Sequence, residues 1–253
     1  MIAMLQCAGS GLNAQQMRVD MAADNLANVS TTAFKSSRPS FGDLLYRALQ
    51  YDAVPRSEGA RNGLVGAGCG VHEARRDFRQ GGLMPTGRGL DVAIEGPGFF
   101  AVQGDDGQVL LTRDGRFRID SEMRLVTSAG HPLEGEITLP DGTQDCCIAA
   151  DGTVTVTNSE GDSEEIGRIK VYNVLNPGAL ESRGNNLYAA NELSGEPQEL
   201  DRAVLRSGYL ERSNTDIAAE MTTLIETHRA YQVNIRMVRT TDELWELAHR
   251  IKE

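Results

Sequence analysis

The sequence predicts an α+β fold: long helices at the N- and C-terminal ends forming a coiled-coil core, a central all-β domain, and an extended irregular arm between the first helix and that domain. Three observations predict it. Apolar residues near both termini recur at alternating steps of three and four, the period of a narrow helical seam. The middle of the chain carries short alternating runs such as "GFFAVQ", "FRID", "RLVT", "TVTVT" and "RIKVYNV", punctuated by four Asp-Gly pairs. Residues 46–85 contain Gly, Arg and Pro with weak periodicity. The expected divisions are residues 1–35 (N-terminal helix), 36–85 (arm), 86–208 (β domain) and 209–253 (C-terminal helix).

The N-terminal seam is Leu5, Ala8, Leu12, Gln15, Val19, Ala22, Leu26 and Val29, with Gln15 its polar exception. Asn28, Ser30, Thr31 and Thr32 follow. Their side chains compete for backbone hydrogen bonds and end the helix. In the β region, Asp106-Gly107, Asp114-Gly115, Asp141-Gly142 and Asp151-Gly152 predict tight turns with positive φ at glycine. The C-terminal helix is expected to be capped by Ser213 or Asn214, with Asp216 and Glu220 near its positive end. Its seam is Ile217, Met221, Leu224, His228, Tyr231, Ile235, Val238, Asp242 and Trp245, with no Gly or Pro from Ile217 onward. A seam this narrow on an isolated helix is marginal in water. Two arrangements satisfy it: an intramolecular pair docked on the β domain, or ends that find partners in an assembly.

Composition narrows the function. The chain has 253 residues, with 27 Gly, 5% aromatics and a net charge of -11. Residues 1–35 are balanced and residues 211–253 carry six basic and eight acidic groups, so the middle holds -9. An acidic middle argues against nucleic acid or an anionic membrane as partner. No stretch reaches the ~18 apolar residues of a membrane helix. The first basic residue is Arg18, so no secretory n-region precedes an apolar run. The opening "MLQCAGS" has Gln6 where a lipoprotein site needs a small residue, which makes Cys7 a helix residue. Cys69, Cys146 and Cys147 form no CxxC and are expected to act as small hydrophobes, the adjacent pair on opposite faces of a strand.

No constellation for catalysis stands out. His72, His131, His228 and His249 match no metal-ligand spacing. "GAGCGV" places Val71 where a dinucleotide loop needs its third glycine. GxxxxGK[ST] and GxSxG do not occur, and the Asp-Gly pairs lack a calcium loop's series. Carboxylates are plentiful, so a pair for glycoside cleavage stays open on composition alone, as does a β-domain binding module.

Motifs running through nearly the whole chain do carry a signal. "DNLANVSTTAFK" is similar to ANNLANxxTxGFK, and "LDVAIEGPGFFAV" to DVAIxGxGFF. "TRDGRFRID", "RLVTSAGHPL", "GNNLYAA" and "SGYLERSNTDIAAEMTTLIETHRAYQVNIRMVRTTDEL" follow in order. The sequence resembles the bacterial flagellar axial proteins, most closely the basal-body rod family. Its β motifs and arm favour the distal-rod type; the proximal-rod type or another rod or hook paralogue is the alternative. Three positions depart: Asp24 stands for Asn, Ala33 for Gly, and Met123 for a common hairpin Gly. The Ala33 change predicts a turn that does not need positive φ.

The resemblance implies a non-catalytic structural subunit that polymerises into a hollow helical drive shaft, transmits torque and encloses the export channel. It implies a polymerisation core of Leu5, Ala8, Leu12, Val19 and Leu26 against Ile217, Met221, Leu224, His228, Tyr231, Ile235, Val238 and Trp245. The family motif residues are Asn25, Leu26, Ala27, Asn28, Phe34 and Lys35. Phe34 and Phe41 are expected where the arm meets neighbouring subunits. The implied partners are further copies of the chain, other rod proteins and the hook protein, the flagellar type III export apparatus, and ring proteins around the rod. No cofactor, metal, nucleic acid or membrane insertion is implied. The implied location is the rod crossing the cell envelope, reached without a cleaved signal peptide.

Overall fold

The computed structural model describes residues 2–44, 47–48, 64–104, 106–135, 137–140, 143–158, 163–200 and 202–252. They form two compact units: Met1–Leu26, Ser37–Arg75 and Ile217–Glu253 in the first, Ala27–Ser36 and Arg76–Asp216 in the second.

The first unit holds the two long helices, α1 (Ile2–Ala27) and α2 (Ile217–Lys252). They are accompanied by β1 (Ser37–Asp43), β2 (Arg47–Ala48), β3 (Leu64–Val65) and β4 (Cys69–Arg76). Within the arm β1 pairs with β4 and β2 with β3, while residues 66–68 and 77–82 carry no regular element. Its tip, residues 49–63, lies outside the described residues.

The helices pack antiparallel. Asn25 of α1 meets Glu220 of α2, and a Cβ on Gly11 would stand 3.3 Å from the Asn234 side chain. The buried positions are Ala14, Ala22 and Asn25 on α1 and Glu220, Thr227 and Thr241 on α2. Ala22 belongs to the expected seam, whereas the seam's leucines, Leu5, Leu12 and Leu26, are half-buried. On α2, Thr227 and Thr241 satisfy their own hydroxyls by donating to the Thr223 and Met237 carbonyls, so they can be buried without a cross-helix partner.

Asn25 fixes where α1 ends. Its side-chain oxygen accepts from the Ser37 N–H at 2.8 Å, and its amide donates to the Ser37 carbonyl at 2.9 Å and to Glu220 Oε1 at 3.3 Å. One carboxamide thereby ties the last turn of α1 to the start of β1 and to α2.

The second unit is antiparallel throughout its named strand pairs. Its chain order begins with β5 (Leu83–Pro85), β6 (Val92–Glu95), β7 (Phe99–Gln103), β8 (Val109–Thr112), β9 (Phe117–Ile119) and β10 (Leu125–Thr127). It continues with β11 (Thr143–Ile148), β12 (Thr153–Asn158), β13 (Ser163–Arg168), β14 (Val171–Asn173), β15 (Glu181–Gly184) and β16 (Leu187–Ala189). It closes with β17 (Gln198–Glu199), β18 (Val204–Ser207) and β19 (Tyr209–Glu211). A six-stranded sheet in the order β15-β16-β8-β7-β14-β17 is the centre, and β11-β12-β13 form a second sheet.

Strand β7 explains the run "GFFAV". Phe100 and Val102 join a core with Val92, Phe117, Leu125, Ile148 and Val154, while Phe99 and Ala101 join a separate one with Leu111 and Tyr188. Both faces of the strand are covered, so apolar residues run continuously instead of alternating. Cys146 is buried and Cys147 exposed, on opposite faces as expected.

One turn expectation needs correction. Gly107 and Gly152 have positive φ, but Gly115 does not. Gly115 is required for close approach: a Cβ there would lie 1.6 Å from the Val92 carbonyl oxygen, and its own carbonyl accepts from Val92 N–H. Asp141-Gly142 lies outside the described residues. At the C-terminal helix, Ser213 and Asn214 lie ahead of the first helical residue, Ile217, and Asn214 has the separate task described below.

Replacing Asn25 by Leu keeps the volume but strands the Ser37 amide, its carbonyl and Glu220. The expected loss is about 2–3 kcal/mol, with faster exchange of the Ser37 amide. Denaturant unfolding together with amide exchange measures both; an unchanged Ser37 amide would refute this account of the helix end.

Candidate functional site

The segment leaving α1, residues 31–36, is gripped by four stretches distant in sequence, all within the second unit. The Thr31 amide turns back onto the Asn28 carbonyl at 3.1 Å. Thr32 donates its hydroxyl to Asp114 Oδ1 at 3.1 Å, and its carbonyl accepts from Asn186 Nδ2 at 2.9 Å. Ala33 N–H donates to the Glu211 carbonyl at 2.8 Å. Ser36 N–H donates to Asn214 Oδ1 at 2.8 Å, while Asn214 Nδ2 reaches the Asp77 and Arg79 carbonyls. Phe34 is buried, with the Arg76 guanidinium 5.9 Å from its ring centre and 5.5 Å from that of Tyr188.

Ala33 has φ of 57°, so the expectation that this turn avoids positive φ is wrong. Met123, which also stands where glycine is common, has φ of 58°. Both sites keep the left-handed backbone that suits glycine and place a side chain on it. At Ala33 the two-sided clamp explains why: its N–H is held by Glu211 and its side chain is buried.

Below this turn lies a buried charge cluster. Lys35 Nζ is 2.6 Å from Glu211 Oε1 and donates to the Arg79 carbonyl at 2.8 Å. Glu211 Oε1 also accepts from Gly81 N–H at 2.7 Å, and Glu211 Oε2 lies 3.4 Å from Arg113 Nη1. The Lys35 and Glu211 side chains are 0% and 1% exposed, and Arg113 is 4% exposed over the Phe99 ring. Two cations thus share one carboxylate out of reach of water. Burial lowers the Lys35 amine below its ordinary range, and the Glu211 carboxylate opposes the shift. Burial likewise lowers Arg113, again opposed by Glu211. Beside them burial pushes the Asp114 carboxyl up, against hydrogen bonds from Arg116 N–H, Thr32 and Ser128.

Of the motif residues read from sequence, Asn25, Phe34 and Lys35 are buried, Leu26 and Asn28 half-buried and Ala27 exposed. Leu5, Ala8, Leu12 and Val19 are half-buried, as are Leu224, Tyr231, Ile235 and Val238. Ile217, Met221, His228 and Trp245 are exposed, and so is Phe41. Glu211, Arg113, Asn186 and Asn214 were not singled out as site residues. Each is a single charge or amide whose partner lies 98 to 178 positions away, which composition cannot pair. Among the described residues no three His, Cys, Asp or Glu side chains gather to hold a metal. No described helix is long and apolar enough to cross a membrane.

Glu211→Gln leaves two buried cations without a counter-charge and is expected to cost about 3–5 kcal/mol. Lys35→Met leaves the carboxylate with Arg113 and should cost less. Urea unfolding ranks the two, and the reverse order would overturn this reading of the cluster. Ala33→Gly relieves about 1 kcal/mol of left-handed strain but removes a methyl that contributes about 0.8 kcal/mol, so it should be near neutral. Ala33→Val places a β-branched, larger side chain there and should cost about 2 kcal/mol or more in the same assay.

Three family models match in order along the chain. Residues 5–35 match "Flagella basal body rod protein", residues 93–156 the "Flagellar hook protein FlgE/F/G D1 domain", and residues 206–251 the "Flagellar basal body rod FlgEFG protein C-terminal". The flagellar basal-body rod protein FlgG of Buchnera aphidicola subsp. Schizaphis graminum is 38% identical, with 96% of this chain and 97% of that protein covered. FlgG of Borreliella burgdorferi is 37% identical over 100% of this chain and 99% of its own length. FlgF of Caulobacter vibrioides is 35% identical over 89% and 88%. Matches of this extent, spanning both helices, the helix exit and the β domain, place the chain in a family: it belongs to the flagellar basal-body rod proteins.

Proposed function

We propose that the chain is a subunit of the distal rod, polymerising into a hollow helical shaft that carries torque and encloses an export channel. The full-length likeness to rod proteins named FlgG supports the distal type. The likeness to FlgF keeps the proximal rod as a second reading. In this reading the helices line the inner tube, the β domain forms its outer wall, and the shaft crosses the cell envelope. The neighbours are further copies, other rod proteins and the hook protein, and the subunit reaches them through the flagellar export apparatus. The function is mechanical, so what matters is how one copy grips the next.

The observation that carries the proposal is the outward face of α2. Met221, Ile225, Val233, Met237, Leu244 and Leu247 are each between 47 and 57% exposed. Six large apolar side chains exposed on one helix mark an interaction surface. Burying one such side chain contributes roughly 1.5–3 kcal/mol, so six of them make a strong drive to associate. The expected core residues Ile217, Met221 and Trp245 belong to the part of α2 left uncovered in the single chain, which is what an assembly interface requires.

Leu244→Asp combined with Leu247→Asp tests this. Both side chains are exposed in the monomer, so its unfolding free energy should move by no more than about 0.5 kcal/mol per site. Rods should be absent by electron microscopy of basal bodies in cells that rely on this chain, and motility should be lost. Normal rods in that strain would remove the helix face from the proposal.

A further inference from the structure

Between Thr227 and Thr241, α2 carries Arg229, Arg236 and Arg239 and no acidic residue. All three arginines are exposed. None forms an ion pair among the described residues. They share the outward side of the helix with Ile225, Val233 and Met237, because residues three and four apart are surface neighbours. The helix therefore presents a ridge on which Ile225, Val233 and Met237 are interleaved with Arg229, Arg236 and Arg239.

The same unit carries a groove of the opposite character. A cavity of about 580 Å³ lies between α1 and β4, with Met17, Met21 and Val71 on its apolar floor and Asp20, Asp24 and Glu73 on its rim. Met17 is 43% exposed there. Arg75 sits 3.0 Å from Glu73 on the exposed side, so it shares that one acid. The chain's own α2 lies against the Gly11, Ala14, Ala22 and Asn25 face of α1 and leaves this groove open.

We infer that the groove between α1 and β4 receives the Arg229–Arg239 ridge of a second copy of this chain. The inference rests on the rod reading and specifies which two surfaces meet. Val233 and Met237 of one copy fill the floor formed by Met17, Met21 and Val71 of the next, and the arginines face the acidic rim. Apolar contact supplies the affinity. Complementary charge sets register and rejects wrong partners, and it weakens with salt. Ridge and groove are different patches, so the contact is heterologous and leaves each new copy with a free groove, as a growing polymer requires.

Charge reversal tests it in a strain from which this chain has been deleted, with each version of the chain supplied in its place. Arg236→Glu alone and Asp20→Arg alone should each lower the number of assembled rods at least about tenfold by placing like charges together. The chain carrying both substitutions should recover most of that loss. All three monomers should keep the wild-type unfolding midpoint. Rods unaffected by either single reversal would overturn the pairing while leaving the rod reading intact. Loss in both singles without recovery in the double would also overturn it, and would mean that each surface faces another rod or ring protein. Failure of the unaltered chain to build rods in that strain would defeat the rod reading itself.

Discussion

The buried Lys35–Glu211 pair is the contact on which the chain's exit from its first helix depends. It joins residues 176 positions apart at 2.6 Å, with both side chains shielded from water. Neither charge is tolerable there alone, since an isolated buried ion costs several kcal/mol. The pair therefore forms only when the segment after α1 and the strand before α2 are both in place. The rest of the exit is built around it: Gly81 N–H and Arg113 use the remaining capacity of the carboxylate, and the Arg79 carbonyl takes a proton of the amine. The Ala33 amide then holds the Glu211 backbone, which fixes the left-handed turn.

The turn also shows how a sequence can leave a motif without leaving its backbone. Where the family resemblance has glycine, this chain has alanine at 33 and methionine at 123, yet both keep positive φ. At position 33 the hydrogen bonds and the buried methyl hold the conformation against its intrinsic cost. At position 123 the Met123 amide donates to the Asp120 carbonyl, its own carbonyl accepts from Leu139, and the side chain packs against the larger core. A substitution rule taken from glycine's freedom alone predicts the wrong backbone, because it ignores what the surroundings can enforce.

In the first unit the helices divide their surfaces between two tasks. Gly11 of α1 lies against Asn234 of α2 and Asn25 meets Glu220, the buried positions of the two helices are small or polar, and large apolar side chains of α2 stay exposed. A seam made of Leu and Ile would use up the apolar surface within one chain. Here that surface stays available, which suits a protein whose helices are to meet other copies.

Periodicity alone determined that both ends are helical and that the middle is β, since the apolar spacing matches those two geometries and no other. Asn25, Phe34 and Lys35 were named by the motif resemblance of "DNLANVSTTAFK" and not by periodicity. Tertiary structure decided the rest. Which positions of the helices are buried, Ala14, Ala22 and Asn25 on α1 and Glu220, Thr227 and Thr241 on α2, was not legible in a three-four step, which fixes a period but not the face that a second helix covers. The partners of Lys35 and Thr32, namely Glu211, Asp114 and Asn186, and the Arg113 that shares Glu211, come from strands and turns whose meeting is set by sheet order. Charge pairing acts through space over a few ångströms, and sequence separation carries no trace of it.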